Sequence, residues 1–290
     1  MGNILKIWYD ESHSMLVELL PGQIQIRDVS IKRPEEIILS KLFVQHDILV
    51  GKTHPKFSPD ILLPYSISTF VAGALAGCFT REQAFEYAFK RADIVRKTES
   101  LKQPEDKTAM AIIVGNGDLA GKLADQFGLR WTNDNLSVHV LAGKIRDLEA
   151  MAVEVGVRLM GFLTAEAEYH SLERDQDSAK FADYLSNKQF CDPKINIISS
   201  TNPRLLSSGE MVKEELWQLM TTRVVLKDIL KEAARFTLGE QDAGLEDFRN
   251  NIFIDISPES TMKKLISRMG FDVLDLADKR LEALKLSKLA

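Results

Sequence analysis

Between Ile61 and Gly77 the chain passes through a short apolar segment, a proline-led turn and a stretch made almost wholly of small residues. Ile61-Leu62-Leu63 predicts a short buried strand, Pro64-Tyr65-Ser66-Ile67-Ser68 a sharp turn, and Val71-Ala72-Gly73-Ala74-Leu75-Ala76-Gly77 a helix that packs closely on its neighbours. A strand–turn–helix unit belongs to layered α/β folds and lifts Ser66 to the top of a sheet, beside the first free amides of the helix. A hydroxyl in that place can attack a carbonyl whose developing oxyanion those amides stabilise, which is the chemistry of acyl transfer. The usual pattern for such an elbow is G-x-S-x-G, and here Pro64 and Ser68 stand at the glycine positions. A serine that merely caps a helix fits the same local residues.

The middle of the chain carries a unit of its own. Hydrophobic periodicity predicts a strand over 108–114, a helix over 118–127, strands over 130–133 and 137–141, a helix over 145–155 and a last strand over 157–162. That is the βαββαβ order of a ferredoxin-like unit, entered by the polar linker Lys102–Lys107 and left through Leu163–Glu166. The expected fold is therefore α/β: an α/β-hydrolase-like large subdomain, residues 1–103 and 164–290, with an inserted ferredoxin-like small subdomain, residues 104–163. Substrates commonly bind at such junctions.

Composition narrows the function classes. A net charge of −5 argues against nonspecific nucleic-acid binding, and no apolar run is long enough to cross a bilayer. The two cysteines, Cys78 and Cys191, have no metal-ligand spacing and imply no disulfide framework, so no metal is expected and a reducing cytoplasm is the simplest address. Gly115-Asn116-Gly117 lacks the third glycine of a nucleotide-binding loop, and the stretch 278–285 reads as an ordinary amphipathic helix.

The order of motifs along the chain resembles the malonyl-CoA:acyl-carrier-protein transacylase and polyketide synthase acyltransferase family. Its elbow, GHSLGE followed by an Ala/Gly-rich helix, is similar to Pro64-Tyr65-Ser66-Ile67-Ser68-Thr69 and the small residues after it. A second helix begins at Thr80-Arg81-Glu82-Gln83 and reaches Lys90-Arg91-Ala92, where the family has an Arg-Gly pair. Thr108–Gly115 resembles its GAMAAVLG strand, and Asn133-Asp134-Asn135 with Val138–Gly143 its N-x-N-S segment. Ala167-Glu168-Tyr169-His170-Ser171 stands at its catalytic histidine, while Trp217-Gln218-Leu219 and Phe253–Pro258 resemble its Gln-Leu and E-(I/V)-G-P segments.

The resemblance implies roles. Ser66 would be the nucleophile and His170 the base, since a neutral imidazole is well matched to taking a hydroxyl proton near neutral pH. A backbone carbonyl near the Gln-Leu segment would orient the imidazole, which points to Gln218. The Ile67 amide would be one oxyanion donor, and the other would come from the first loop, where Glu11 stands in Tyr9–Ser14; a carboxylate pointing inward there would oppose the oxyanion. Arg91 would grip the free carboxylate of a malonyl unit, with Tyr65 and Tyr169 also against the substrate. No bound cofactor is implied; the coenzyme A thioester is a substrate, and acyl-CoA and an acyl carrier protein are the expected partners.

The chain departs from the family at backbone-critical places. Tyr65 replaces the elbow histidine, Thr69 the acidic residue, and Ser257-Pro258-Glu259 the closing Gly-Pro-Gly, and the segment before Ser66 is abbreviated. Three readings remain open: a stand-alone acyltransferase of polyketide or fatty-acid synthesis, an acyl-thioester hydrolase that clears carrier proteins, and a catalytically silent homologue with a docking role.

Overall fold

The computed structural model describes residues 5–9, 14–20, 23–29, 34–53, 59–155, 159–163, 167–239, 245–257 and 260–283. The chain divides into two compact units, one of Met1–Ser58 with Arg249–Ala290 and one of Pro59–Phe248.

In the first unit, β1 (Leu5–Tyr9), β2 (Ser14–Leu20) and β3 (Gln23–Val29) form an antiparallel meander, and α1 (Pro34–Lys52) comes next. Tyr9 pairs with Ser14 across the first connection, so the expected first loop falls between two paired strands.

The second unit starts with β4 (Ile61–Leu62), which turns into α2 (Ser68–Leu75) and then α3 (Arg81–Ser100). The small residues let α2 lie close to the connection that leads to α3: a Cβ on Gly73 would run into the Phe79 ring. Thr80 and Gln83 open α3 as a reciprocal capping box, with Gln83 N–H donating to Thr80 Oγ1 at 3.2 Å and Thr80 N–H donating to Gln83 Oε1 at 2.8 Å.

Then come β5 (Thr108–Val114), α4 (Gly117–Phe127), β6 (Arg130–Asn135), β7 (Val138–Lys144), α5 (Ile145–Val155) and β8 (Leu159–Phe162). Asn116 caps the start of α4, and Gly128, at φ 62°, ends it in the left-handed conformation that glycine adopts without strain. The four strands lie in the order β6-β7-β5-β8, all neighbours antiparallel, with α4 and α5 covering a core of Ala111, Ile113, Leu123, Leu141, Leu148 and Met151.

After α6 (Asp175–Ser186), β9 (Asn196–Ile198) pairs parallel to β4 and β10 (Leu205–Leu206) pairs antiparallel to β9. Helix α7 (Gly209–Gln218) leads to β11 (Val224–Val225), which adds in parallel to the free edge of β6, and α8 (Leu226–Leu238) closes the unit. This addition ties the 108–162 sheet to the later part of the chain.

The first unit resumes with β12 (Ile252–Asp255), α9 (Thr261–Ile266), β13 (Asp272–Asp275) and α10 (Arg280–Ala283). Strands β12 and β13 pair in parallel across the helical crossover. Leu49, Leu274 and Leu281 form the buried centre of this unit's core.

Candidate active site

Strand β4 ends two residues before Pro64, and the backbone then reverses sharply: Ser66 adopts φ 55°, a left-handed conformation unusual for a residue with a Cβ. The turn is held by Ser68, whose Oγ accepts from the Tyr65 amide at 2.6 Å and donates to the Tyr65 carbonyl at 3.1 Å. Thr69 N–H donates to the Ser66 carbonyl at 3.0 Å, so the serine lies on the last turn before α2, with Ile67 at the helix N-cap.

The second side chain arrives from far along the sequence. His170 is also left-handed, φ 59°, and almost wholly buried. Its segment is anchored by Arg174, which donates to the Glu168 carbonyl at 2.9 Å, to Thr108 Oγ1 at 3.0 Å, to Asp177 at 3.3 Å and to Glu99. The Ser171 amide donates to the Met220 carbonyl at 3.1 Å. Held this way, His170 Nε2 lies 2.7 Å from Ser66 Oγ, and Nδ1 lies 3.1 Å from the Thr222 carbonyl oxygen.

These distances fix the tautomer. A carbonyl oxygen can only accept, so Nδ1 carries the hydrogen, Nε2 is bare, and the Ser66 hydroxyl donates to it. Burial pushes the imidazole pKa down, the positive charge of Arg91 pushes it further, and the Thr222 hydrogen bond opposes both; the balance is about 3. The pair is thus a hydroxyl facing a neutral imidazole at neutral pH. Ser66 and His170 are two of the four non-glycine residues with positive φ among the described residues, the kind of local strain that collects at functional sites.

The other expected site residues meet different outcomes. Arg91 is buried on α3 with its guanidinium 5.0 Å from the centres of the Phe70 and Tyr169 rings. Tyr65 turns its hydroxyl to the small sheet, accepting from Asn133 Nδ2 at 2.9 Å and donating to Asn135 Oδ1 at 2.6 Å. Burial raises its phenol pKa, which the two asparagines partly offset. Gln218 does not orient the imidazole. Its carbonyl is occupied by the Thr221 and Thr222 amides, both at 3.0 Å, and its side chain donates to Glu214 at 2.9 Å. The chain after α7 folds back on Gln218, and the carbonyl that faces His170 belongs to Thr222. Glu11 lies outside the described residues.

No protein-family model matches the chain. Two curated proteins align with much of it. One is a polyunsaturated fatty acid synthase subunit from Thraustochytrium sp., 24% identical over 222 residues, 73% of this chain and 7% of that protein. The other is a malonyl CoA-acyl carrier protein transacylase from Synechocystis sp., 25% identical over 185 residues, 63% of this chain and 61% of that protein. Similar solved structures include the malonyl-CoA:acyl carrier protein transacylase of Helicobacter pylori, with a TM-score of 0.71 and 20% identity across 87% of this chain and 80% of that one. A malonyl transacylase in complex with its type II polyketide synthase acyl-carrier protein gives 0.69 and 16%, over 88% and 80%. In sequence and in fold the chain resembles the malonyl-CoA:acyl-carrier-protein transacylases. It spans less than two thirds of the length of the two curated relatives.

Thr222 and Arg174 carried no sequence signal of a role at this site, and Asn133 and Asn135 stood only in a motif to which no role was given. Thr222 contributes only a backbone carbonyl, which leaves no side-chain signal. Arg174 has the look of a surface residue in an Asp/Glu-rich helix start, and its burial depends on Glu99 from α3. The asparagines sit in a strand, a poor place for that residue type, and that mismatch with strand propensity was the available signal. Among the described residues no group of His, Cys, Asp and Glu could hold a metal ion, and no helix is long and apolar enough to cross a membrane.

Proposed function

We propose that the chain is an acyltransferase that takes a malonyl-type acyl group from coenzyme A onto Ser66 and passes it to the phosphopantetheine thiol of an acyl carrier protein. The observation that carries the reading is the 2.7 Å approach of Ser66 Oγ to the bare Nε2 of His170, backed by the Thr222 carbonyl. His170 Nε2 takes the Ser66 proton as Oγ bonds to the thioester carbonyl carbon. The oxyanion faces the Ile67 amide at the start of α2. The C–S bond then breaks, the coenzyme A sulfur takes the proton from Nε2, and an acyl ester remains on Ser66. In the second half His170 takes the carrier thiol's proton, the sulfur attacks the ester, and Ser66 leaves with that proton.

Arg91 gives the donor preference. Its buried guanidinium between Phe70 and Tyr169 is a suitable grip for the free carboxylate of a dicarboxylic acyl group. The strand order β6-β7-β5-β8 supports a ferredoxin-like small subdomain, and the carrier-bound transacylase of the same fold supports an acyl carrier protein as acceptor. Intact-protein mass spectrometry with malonyl-CoA and acetyl-CoA tests the reading, with Ser66→Ala as control. A malonyl adduct that the control lacks supports it. An adduct that turns over to free malonate without a carrier protein would identify a hydrolase, and no adduct with either donor would leave a silent homologue.

A further inference from the structure

The pair Ser66 and His170 is held from both sides by one short strand. Asn133 and Asn135 of β6 flank the Tyr65 hydroxyl, and Tyr65 is the residue next to Ser66. Asn133 presents its amide nitrogen to Tyr65, while its Oδ1 lies 3.0 Å from Thr132 Oγ1, a hydroxyl that also has the Val140 carbonyl oxygen at 3.2 Å. With that nitrogen donating, the phenol's own hydrogen goes to Asn135 Oδ1. The intervening residue serves the other partner. Asp134 accepts from Arg223 at 2.9 Å, and β11 pairs Val224 with Asn133. Arg223 is next in the chain after Thr222, the residue whose carbonyl receives the His170 Nδ1 hydrogen.

We infer that Asn133, Asp134 and Asn135 are positioning residues: a strut on β6 that sets the separation of Ser66 and His170 through Tyr65 on one side and Arg223–Thr222 on the other. This deepens the acyltransfer reading and rests on Ser66 acting as a nucleophile, though on no particular acyl donor. A serine held at φ 55° has no regular secondary structure to fix its direction, so its neighbour supplies the anchor. Tyr65 is therefore a fastening of the elbow to the small sheet, and its hydroxyl, engaged on both sides, is committed to the protein.

The test is the rate at which an uncharged fluorophosphonate labels Ser66, read by intact mass with Ser66→Ala as blank. Tyr65→Phe and Asn135→Ala should each slow labelling about tenfold to a hundredfold, the scale of a small misplacement of reacting groups. Because Tyr65→Phe already breaks the bond that Asn135→Ala removes, the double variant should be no slower than the slower single variant. Asp134→Ala should also slow labelling, by up to about fivefold given the partly exposed ion pair. Rates unchanged in Tyr65→Phe, losses that multiply in the double variant, or losses that track the melting temperature would overturn the inference, as would a wild-type chain that the probe leaves unlabelled. Rapid phosphonate labelling in a chain that forms no malonyl adduct would sink the donor assignment and leave the strut standing.

Discussion

Lowering the pH separates a buried imidazole from an ordinary one. A histidine with the usual pKa of about 6.5 is about thirtyfold less available as a base at pH 5 than at pH 8. His170, with its pKa held at about 3 by burial and by Arg91, loses almost nothing over the same range. The rate of Ser66 labelling by an uncharged fluorophosphonate, followed by intact mass between pH 8 and pH 5, should therefore stay flat. Stability behaves differently, and its sign is fixed by which state binds the proton. Below about pH 6.5 the unfolded histidine is protonated while the folded one stays neutral until about pH 3, so stability falls as pH drops through that window. The loss amounts to about 2 kcal/mol at pH 5, and melting temperatures recorded in parallel show whether the chain stays folded there. A labelling rate that halves near pH 6.5 in folded protein would refute the argument that burial and the neighbouring guanidinium keep His170 neutral. Arg91→Gln should move the acid limb of the profile upward, because it removes the second of the two causes.

Other perturbations address separate parts of the structure. Arg91→Ala should reduce acylation by malonyl-CoA about tenfold to a hundredfold more than acylation by acetyl-CoA, the range of a charge-assisted hydrogen bond, and equal losses for both donors would remove the carboxylate grip. Arg174→Met should lower unfolding stability by about 3 kcal/mol in denaturant titration, since it removes the buried cation shared by Glu99 and Asp177 and leaves them only Lys102 and Lys180, which are partly exposed. Gly73→Ala should destabilise by about 1–3 kcal/mol, because the Phe79 ring it would strike is packed against Tyr87 and Phe190; an unchanged melting temperature would mean that the ring yields.

What could be read in advance was whatever local pattern decides. The capping box at Thr80 and Gln83, the small residues of α2 and the alternation of strands and helices from 108 to 162 each arise from neighbours within a few positions. The partners of His170 do not. Its imidazole meets a main-chain carbonyl, and any of several residues after α7 could have supplied one. Choosing Thr222 over Gln218 required knowing that the Thr221 and Thr222 amides fold back onto Gln218. Burial of Arg174 likewise depends on Glu99 and Thr108, which lie 75 and 66 positions away. Tyr9 and Ser14, which bound the expected first loop, pair with each other across β1 and β2.

The elbow shows how a site can keep its geometry after losing the glycines that usually accompany it. In G-x-S-x-G the glycines relieve crowding around a serine with positive φ. Here Ser66 keeps the positive φ, but Ser68 is already inside α2, where a side chain meets no backbone penalty. Its hydroxyl accepts from the Tyr65 amide and donates to the Tyr65 carbonyl, satisfying both main-chain groups of the residue before the serine. Freedom to turn has been exchanged for bonds that hold the turn. Ser68→Gly would restore the familiar glycine and remove those bonds, so it should slow Ser66 labelling while Ser68→Thr, which keeps the hydroxyl, should not. The opposite order would mean that crowding rather than fastening limits this elbow.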